Sequence, residues 1–417
     1  MLGKPYGLIF GWFMATVFYP SMTGILAWIS ARFTVELFGW HTDIGINQFT
    51  SGETWAIALF YLVAIYTING ISPKLSEKLQ ISGTFIKIIP LIAMGIVGTI
   101  AGLVNGVTLE NLSFVSNDAL VGFGGGVVGD AAAHSAFFYA LTATVFAYVG
   151  WDCVINLNSE IRNSKRNLPI ALVGGLIIIT TIYVLYFVGI FGATDVSYTA
   201  VPGGTRDAFV SLFSPVAGTV LFVFIVASCL GTLNGLTVGG QRAFYAISTR
   251  NTGPRPKIFS QVDAQTNVPN NSTSLSMLLV AIWMVVHFVH INGSTFPNHT
   301  FNTSNLVPVA FNALFIPLYI AVMIKQKDFG IFNRFIAPFI AVLGAAFLVF
   351  TVIYNEREMA AWFLVVFAGL SLIALFLTRG KDKAELKHVK AWVIGFVILL
   401  AALLVFLFYF HGWFMFA

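Results

Sequence analysis

Apolar residues run through this chain in long blocks separated by short polar stretches. The blocks lie near residues 6–38, 53–70, 82–104, 136–158, 168–192, 215–245, 274–290, 306–324, 335–354, 359–378 and 391–413. A hydrocarbon core about 30 Å thick needs about 20 apolar residues of α-helix. The blocks have that length. Strands of a membrane barrel would be shorter and would alternate apolar with polar positions. These blocks are continuous, so the pattern predicts an all-α polytopic membrane protein with about 11 transmembrane helices. The first block begins after a single early Lys and continues past Arg32, so it reads as a true span and not as a cleavable leader.

The polar stretches orient the helices. With Met1 inside and alternating spans, the inner loops collect Lys4, Lys74, Lys78, Arg162, Lys165, Arg166, Arg242, Arg250, Arg255, Lys257, Lys325, Lys327, Arg334 and the run RGKDKAELKHVK at 379–390. Of the 22 Lys and Arg residues, only Arg206 and Arg357 fall in outer loops, and Arg32 and Lys87 lie within spans. Basic residues concentrate on the cytoplasmic side of membrane proteins. The asymmetry therefore predicts a cytoplasmic N-terminus in a multi-pass protein of the cell (plasma) membrane.

Composition agrees: 58% of residues are hydrophobic, 9% are charged, and mean hydropathy is +0.86. The net charge of +5 sits in loops and does not point to nucleic acid. Cys153 and Cys229 both lie in apolar blocks, which argues against a disulfide framework or a cysteine metal site. Neither a metal-ligand set nor a nucleophile–base arrangement stands out. No cofactor, no metal and no catalysis are expected, and the oligomeric state is open.

Chemistry gathers where apolar blocks are interrupted. The stretch VFAYVGWDCVINLNSEIRNSKRNLP runs from Val145 to Pro169. Gly150 weakens a helix, and Asp152 in lipid costs roughly 3 kcal/mol on insertion scales. Phe146, Tyr148 and Trp151 add aromatic bulk. A helix broken here would offer backbone N–H and C=O groups to a small zwitterion. The alternative is a continuous helix with a packing glycine and an Asp near its inner end. Lys87 is the other charge inside a span. It either snorkels to the inner surface along its stem or stays desolvated in the interior with a functional role.

Three stretches carry a family resemblance. FAYVGWD, followed by SEIRNSKRNLPIAL, resembles the sixth helix and following loop of amino-acid permeases. CLGTLNGLTVGGQRAFYAISTRN, from Cys229 to Asn251, resembles their eighth helix with its Asn-Gly and Arg-x-x-Tyr-Ala elements. KLSEKLQISGTFIKIIPLI, from Lys74 to Ile92, resembles their fourth-to-fifth helix junction. In order and spacing the sequence is similar to the amino acid–polyamine–organocation (APC) superfamily, nearest its L-type branch. The resemblance implies two inverted five-helix repeats (a LeuT-like fold) and transport by alternating access. It makes residues 1–378 the permease domain, helices three to twelve of the family. Residues 379–390 are then a basic cytoplasmic loop and residues 391–417 an additional transmembrane helix. The family's first two helices, with their Gly-rich motif, would lie outside these 417 residues.

The same resemblance implies roles residue by residue. Phe146 is expected to close over substrate. Ala147, Tyr148, Val149 and Gly150 are expected to form an unwound turn presenting backbone groups, and Asp152 to reach substrate or a proton or to cap the second half-helix. Lys87 corresponds to a fifth-helix lysine that fills the sodium position in sodium-independent relatives, which would make it a coupling residue. Asn234, Gly235 and Arg242 are the structural motif of the eighth helix. The expected function is amino-acid transport, by sodium-independent exchange or proton-coupled uptake, with an amino acid, the lipid bilayer and possible protons as partners. The alternative is a transport-incompetent permease fragment or a membrane interaction protein.

Overall fold

A computed structural model describes residues 2–39, 51–113, 120–121, 127–128, 140–141, 144–152, 154, 161–194, 204–292, 303–377, 392–399 and 401–403. The elements in chain order are helices α1 (Gly3–Phe38), α2 (Gly52–Ile71), α3 (Pro73–Val104) and α4 (Val107–Ser113). The two-residue strands β1 (Leu120–Val121) and β2 (Val127–Val128) follow, paired antiparallel. Then come α5 (Ser164–Ala193), α6 (Gly204–Phe213), α7 (Pro215–Ser248), α8 (Pro256–Phe259), α9 (Asn270–Ile291), α10 (Thr303–Lys325), α11 (Phe332–Tyr354), α12 (Met359–Leu377) and α13 (Trp392–Leu403). Among the described residues nine helices are long and apolar enough to span a membrane, with α13 a shorter apolar helix. The expected span at 136–158 lies partly outside the described residues, with 140–141, 144–152 and 154 described. The basic loop at 379–390 and the end of the last expected span lie outside them.

The helix ends follow from local sequence. Ser51 accepts a hydrogen bond from the Thr54 N–H and Glu53 sits in the first turn of α2, both favourable at a helix N-terminus. Ser72 accepts from the Leu75 N–H and Pro73 fixes the first position of α3. The α2–α3 junction is therefore a tight corner. In α10 the helix breaks between Thr303–Ala313 and Ile316–Lys325. Pro317 there supplies no N–H to the preceding turn. One difference from the sequence reading concerns α11 and α12. A turn was expected at 355–358, yet the backbone is helical from Ala337 to Leu377. Asn-Glu-Arg-Glu holds no Gly or Pro to stop a helix.

The chain divides into two compact units. The first comprises Met1–Gly24, Phe137–Val149 and Gly239–Ala417. Its core joins Leu8, Ile9, Trp12 and Ala15 of α1 to Phe244 and Ile247 of α7, Ala374 and Leu375 of α12, and Phe396 of α13. A π-helical turn at Met14–Phe18 interrupts α1, and the Trp283 indole N–H donates to the Thr16 carbonyl at 2.7 Å. Phe18 stacks on Phe311 with centroids 4.5 Å apart. The Tyr6 hydroxyl donates to the Leu314 carbonyl at the α10 break. Two backbone irregularities thus meet within one aromatic cluster, and side chains supply hydrogen bonds to both.

The second unit comprises Ile25–Ala136 and Gly150–Val238. Its spine is α3 on α5. A Cβ at Gly95 would stand 2.7 Å from Leu185 Cγ, and one at Gly98 or Gly102 would overlap the backbone of Gly189 or Gly192. Small residues let helices in lipid approach at backbone distance. The contacts advance together along both chains, so α3 and α5 run parallel. A chain that crosses twice in the same direction must return between the crossings, which agrees with a span near 136–158. The side-chain amide of Asn111 on α4 closes the end of α5 by donating to the carbonyls of Phe191 (2.7 Å) and Thr194 (2.9 Å). Helix α6 docks through fully buried Ala208 and Phe209 onto Met94 of α3. Beside this dock, buried Glu36 at the end of α1 lies within electrostatic reach of Arg32, Arg206 and Asp207. Arg32 is thus part of a charge cluster.

Candidate functional site

The interrupted segment comes first, because backbone geometry decides between its two sequence readings. Residues 144–147 are helical and residues 148–152 form a turn. The Tyr148 N–H donates to the Val145 carbonyl at 3.2 Å and the Val149 N–H to the Phe146 carbonyl at 3.1 Å, a tightening characteristic of a helix end. Gly150 then takes φ +107°, a conformation that side chains disfavour. The continuous-helix alternative is therefore not what the backbone does. Phe146, Tyr148, Val149, Gly150 and Trp151 are half-buried, Ala147 is exposed and Asp152 is buried. Phe146 to Val149 belong to the first unit, and Gly150 and Asp152 to the second. A helix ended inside an apolar segment leaves backbone groups without intrahelical partners. In a membrane such backbone is tolerated where it is buried in protein or lines a cavity.

Lys87, Asn234 and Gly235 come together in the second unit along the crossing of α3 and α7. At one end Asn234 is the hub of a polar knot. Its amide oxygen accepts from Asn69 Nδ2 at 2.7 Å and from the Ser76 hydroxyl at 3.1 Å. Its amide N–H group donates to the Ser76 carbonyl at 3.3 Å and to Gln80 Oε1 at 3.1 Å. Ser76 also donates to Asn69 Oδ1 at 2.6 Å, and Asn69 Nδ2 donates to the Ile65 carbonyl at 2.8 Å. The knot ties α2, α3 and α7. Gly235 makes room for it, since a Cβ there would stand 3.2 Å from Gln80 Nε2.

One turn further along α3, a Cβ at Gly83 would lie 3.8 Å from the Gly231 Cα, so the helices cross with little side chain between them. One turn beyond that, half-buried Lys87 lies within electrostatic reach of the Cys229 thiol. Numbers rise on α3 as they fall on α7, so these two helices run antiparallel. Arg242 lies further along α7, half-buried, in the first unit, and is not part of this crossing. Sequence reasoning found Asn234, Gly235 and Lys87 but missed their partners Asn69, Ser76 and Gln80. The available signal was the i, i+4 spacing of Ser76 and Gln80, which puts both on one face of α3.

Among the described residues no group of three or more His, Cys, Asp or Glu side chains could hold a metal ion.

The sequence matches known proteins along most of this framework. A family described as amino acid permease matches residues 1–358. The serine/threonine exchanger SteT of Bacillus subtilis (strain 168) is 27% identical over 287 residues, covering 68% of this chain and 59% of that protein. The putrescine transporter PotE of Escherichia coli (strain K12) is 28% identical over 258 residues, covering 59% and 56%. The human cystine/glutamate transporter is 24% identical over 261 residues, covering 62% and 48%. The chain thus spans about half to three-fifths of the length of these relatives. A multi-pass helical architecture, a glycine-broken segment where the sequence motif lies and a match over residues 1–358 agree on one conclusion: this chain belongs to the amino acid permease family.

Proposed function

We propose that the protein moves amino acids across the plasma membrane by alternating access, as a sodium-independent exchanger or a proton-coupled importer, with its N-terminus in the cytoplasm. The observation that carries this reading is the helix break at residues 148–152, with Gly150 at φ +107° inside an otherwise apolar segment. Such a break presents N–H groups to a carboxylate and C=O groups to an ammonium, the two ends every amino acid shares. Phe146 covers the bound molecule, and Ala147, Tyr148, Val149 and Gly150 offer backbone. Asp152 adds a carboxylate to the buried end of the turn. Lys87 places an ammonium able to release and regain its proton inside the span, in the role a sodium ion would otherwise fill. No catalytic step is assigned. The serine/threonine, putrescine and cystine/glutamate specificities belong to the relatives. For this chain the substrate class is amino acids with free α-amino and carboxyl groups.

Coupling is tested by uptake of a mixed labelled amino-acid pool into proteoliposomes between about pH 5.5 and 8, with and without sodium. Uptake is expected to ignore sodium. Lys87→Ala should abolish uptake or flatten its pH dependence, and Lys87→Arg should rescue poorly because a guanidinium is larger and keeps its proton. A Lys87→Arg protein with unchanged rates and pH profile would show Lys87 to be an interfacial anchor.

A further inference from the structure

The crossing of α3 and α7 has an order along its length that the transport reading leaves unused. At the end nearest the α2–α3 corner lies the Asn69–Ser76–Gln80–Asn234 knot. Next lies the bare contact of Gly83 with Gly231, and after it Lys87 with Cys229. Glycine against glycine is smooth. It brings two backbones close but provides no interlocking side chains to stop one helix sliding or turning on the other. The register of Lys87 on α7 must therefore be fixed at one or both ends of that contact. On the knot side, four hydrogen bonds run from Asn234 to three side chains and one backbone carbonyl, and they join three helices. Hydrogen bonds are directional, and losing one partner leaves a buried amide or hydroxyl unsatisfied.

We propose that Asn234, with Asn69, Ser76 and Gln80, is a positioning residue for Lys87: the knot sets the register of α3 on α7 and so holds the Lys87 side chain beside Cys229. They act through the rigid helix that carries Lys87. The distance along α3 from Gln80 to Lys87 is two turns, about 10 Å at 1.5 Å per residue, short enough for a helix to transmit a rotation with little loss. The mechanical statement stands on the geometry alone, and its consequence for transport rests on the coupling reading of Lys87.

The test uses the 417-residue chain in lipid nanodiscs with Cys153→Ser, which leaves Cys229 as the single thiol of the two in the sequence. A short membrane-permeant amine-to-thiol reagent is added, and the Lys87–Cys229 cross-linked peptide is quantified by mass spectrometry. The cross-link is expected in the parent protein. Asn234→Leu should lower its yield about tenfold, Gln80→Leu by about half that factor, and Ser76→Thr, which keeps the hydroxyl, should preserve it. Asn111→Leu removes the bond pair at the end of α5, outside the crossing, and should leave the yield unchanged. Parent-like cross-linking in Asn234→Leu and Gln80→Leu would overturn the proposal, and so would an equal fall in Asn111→Leu, which would mark a general loss of packing. In uptake assays Asn234→Leu should flatten the pH dependence, whereas a lower rate at an unchanged profile would reduce the knot to a structural tie. If Lys87→Arg shows that Lys87 does not couple, the cross-link yields still decide whether the knot positions it.

Discussion

At the scale of single residues, Gly150 is where the backbone asks for something only glycine supplies cheaply. Its φ of +107° would strain any side chain, at a cost of order 1–3 kcal/mol. Gly150→Ala is expected to insert normally and to lower the thermal midpoint by a few degrees, an effect that tryptophan fluorescence or a thiol-dye melt would read. A melt indistinguishable from the parent would mean that the turn is not strained. Asp263, in the loop after α8, makes a different kind of demand. Its carboxylate accepts from the Thr266 N–H (2.8 Å), the Gln265 N–H (2.9 Å) and the Thr266 hydroxyl (3.0 Å). These bonds hold it below the usual Asp range. The sign follows: the folded pKa is depressed, so the stabilisation is present above the ordinary Asp value near 3.9 and fades as pH falls through the lowered one. Amide exchange at Gln265 and Thr266 should be flat, once corrected for intrinsic rate, from about pH 5 to 8 and rise in more acidic solution. Asp263→Asn should remove that acid-side rise. Of these two devices only the first was legible beforehand. Gly-Trp-Asp inside an apolar block announces a problem for a helix, whereas an Asp four residues before Asn267 in a polar loop resembles many others.

At the scale of elements, the apolar blocks located the helices because burial in lipid and helix formation select the same residues. What they could not show is where a helix deviates without leaving the apolar pattern. The π-helical turn at Met14–Phe18 is wholly apolar apart from Thr16 and is stabilised by Trp283, far away in sequence. The break of α10 sits beside Pro317, a visible signal inside the expected span at 306–324. The polar knot was half legible: Asn234 and Gly235 stood out, but pairing Asn69 with Asn234 requires knowing that α2 and α7 flank the same part of α3. Helix packing supplies a sharp prediction of its own. A Cβ at Gly98 would overlap the Gly189 backbone, so Gly98→Leu should force α3 off α5. The expected result is loss of a monodisperse peak in size-exclusion chromatography, while Gly344→Leu, where a Cβ meets nothing within 4 Å, should elute as the parent. Monodisperse Gly98→Leu would show that the glycine crossing is looser than the structure has it.

At the scale of the whole molecule, the order of crossings links charge to function. The parallel run of α3 and α5 and the antiparallel run of α7 fit the alternation that the basic loops demanded from sequence alone. Single cysteines at 162–167 and at 291–305, in a background without Cys153 and Cys229, should therefore differ in intact cells. An impermeant thiol reagent is expected to label only the second, and labelling of the first would overturn the orientation. The junction at 355–358, helical where a turn was expected, is probed in the same way by a cysteine at Arg357, which labels from outside if α11 and α12 cross separately. The central claim is that amino acids pass through this protein by way of the broken segment at residues 148–152. Counterflow tests it most directly: proteoliposomes holding the protein are loaded with unlabelled amino acids, and entry of a labelled pool is followed with time. The account predicts labelled amino acid overshooting its equilibrium level in the parent and a rate lower by about tenfold or more in an equally inserted Gly150→Val, since a misplacement of about 1 Å at a binding turn can cost a hundredfold. No overshoot in the parent, or a Gly150→Val protein that exchanges at the parent's rate, would contradict it.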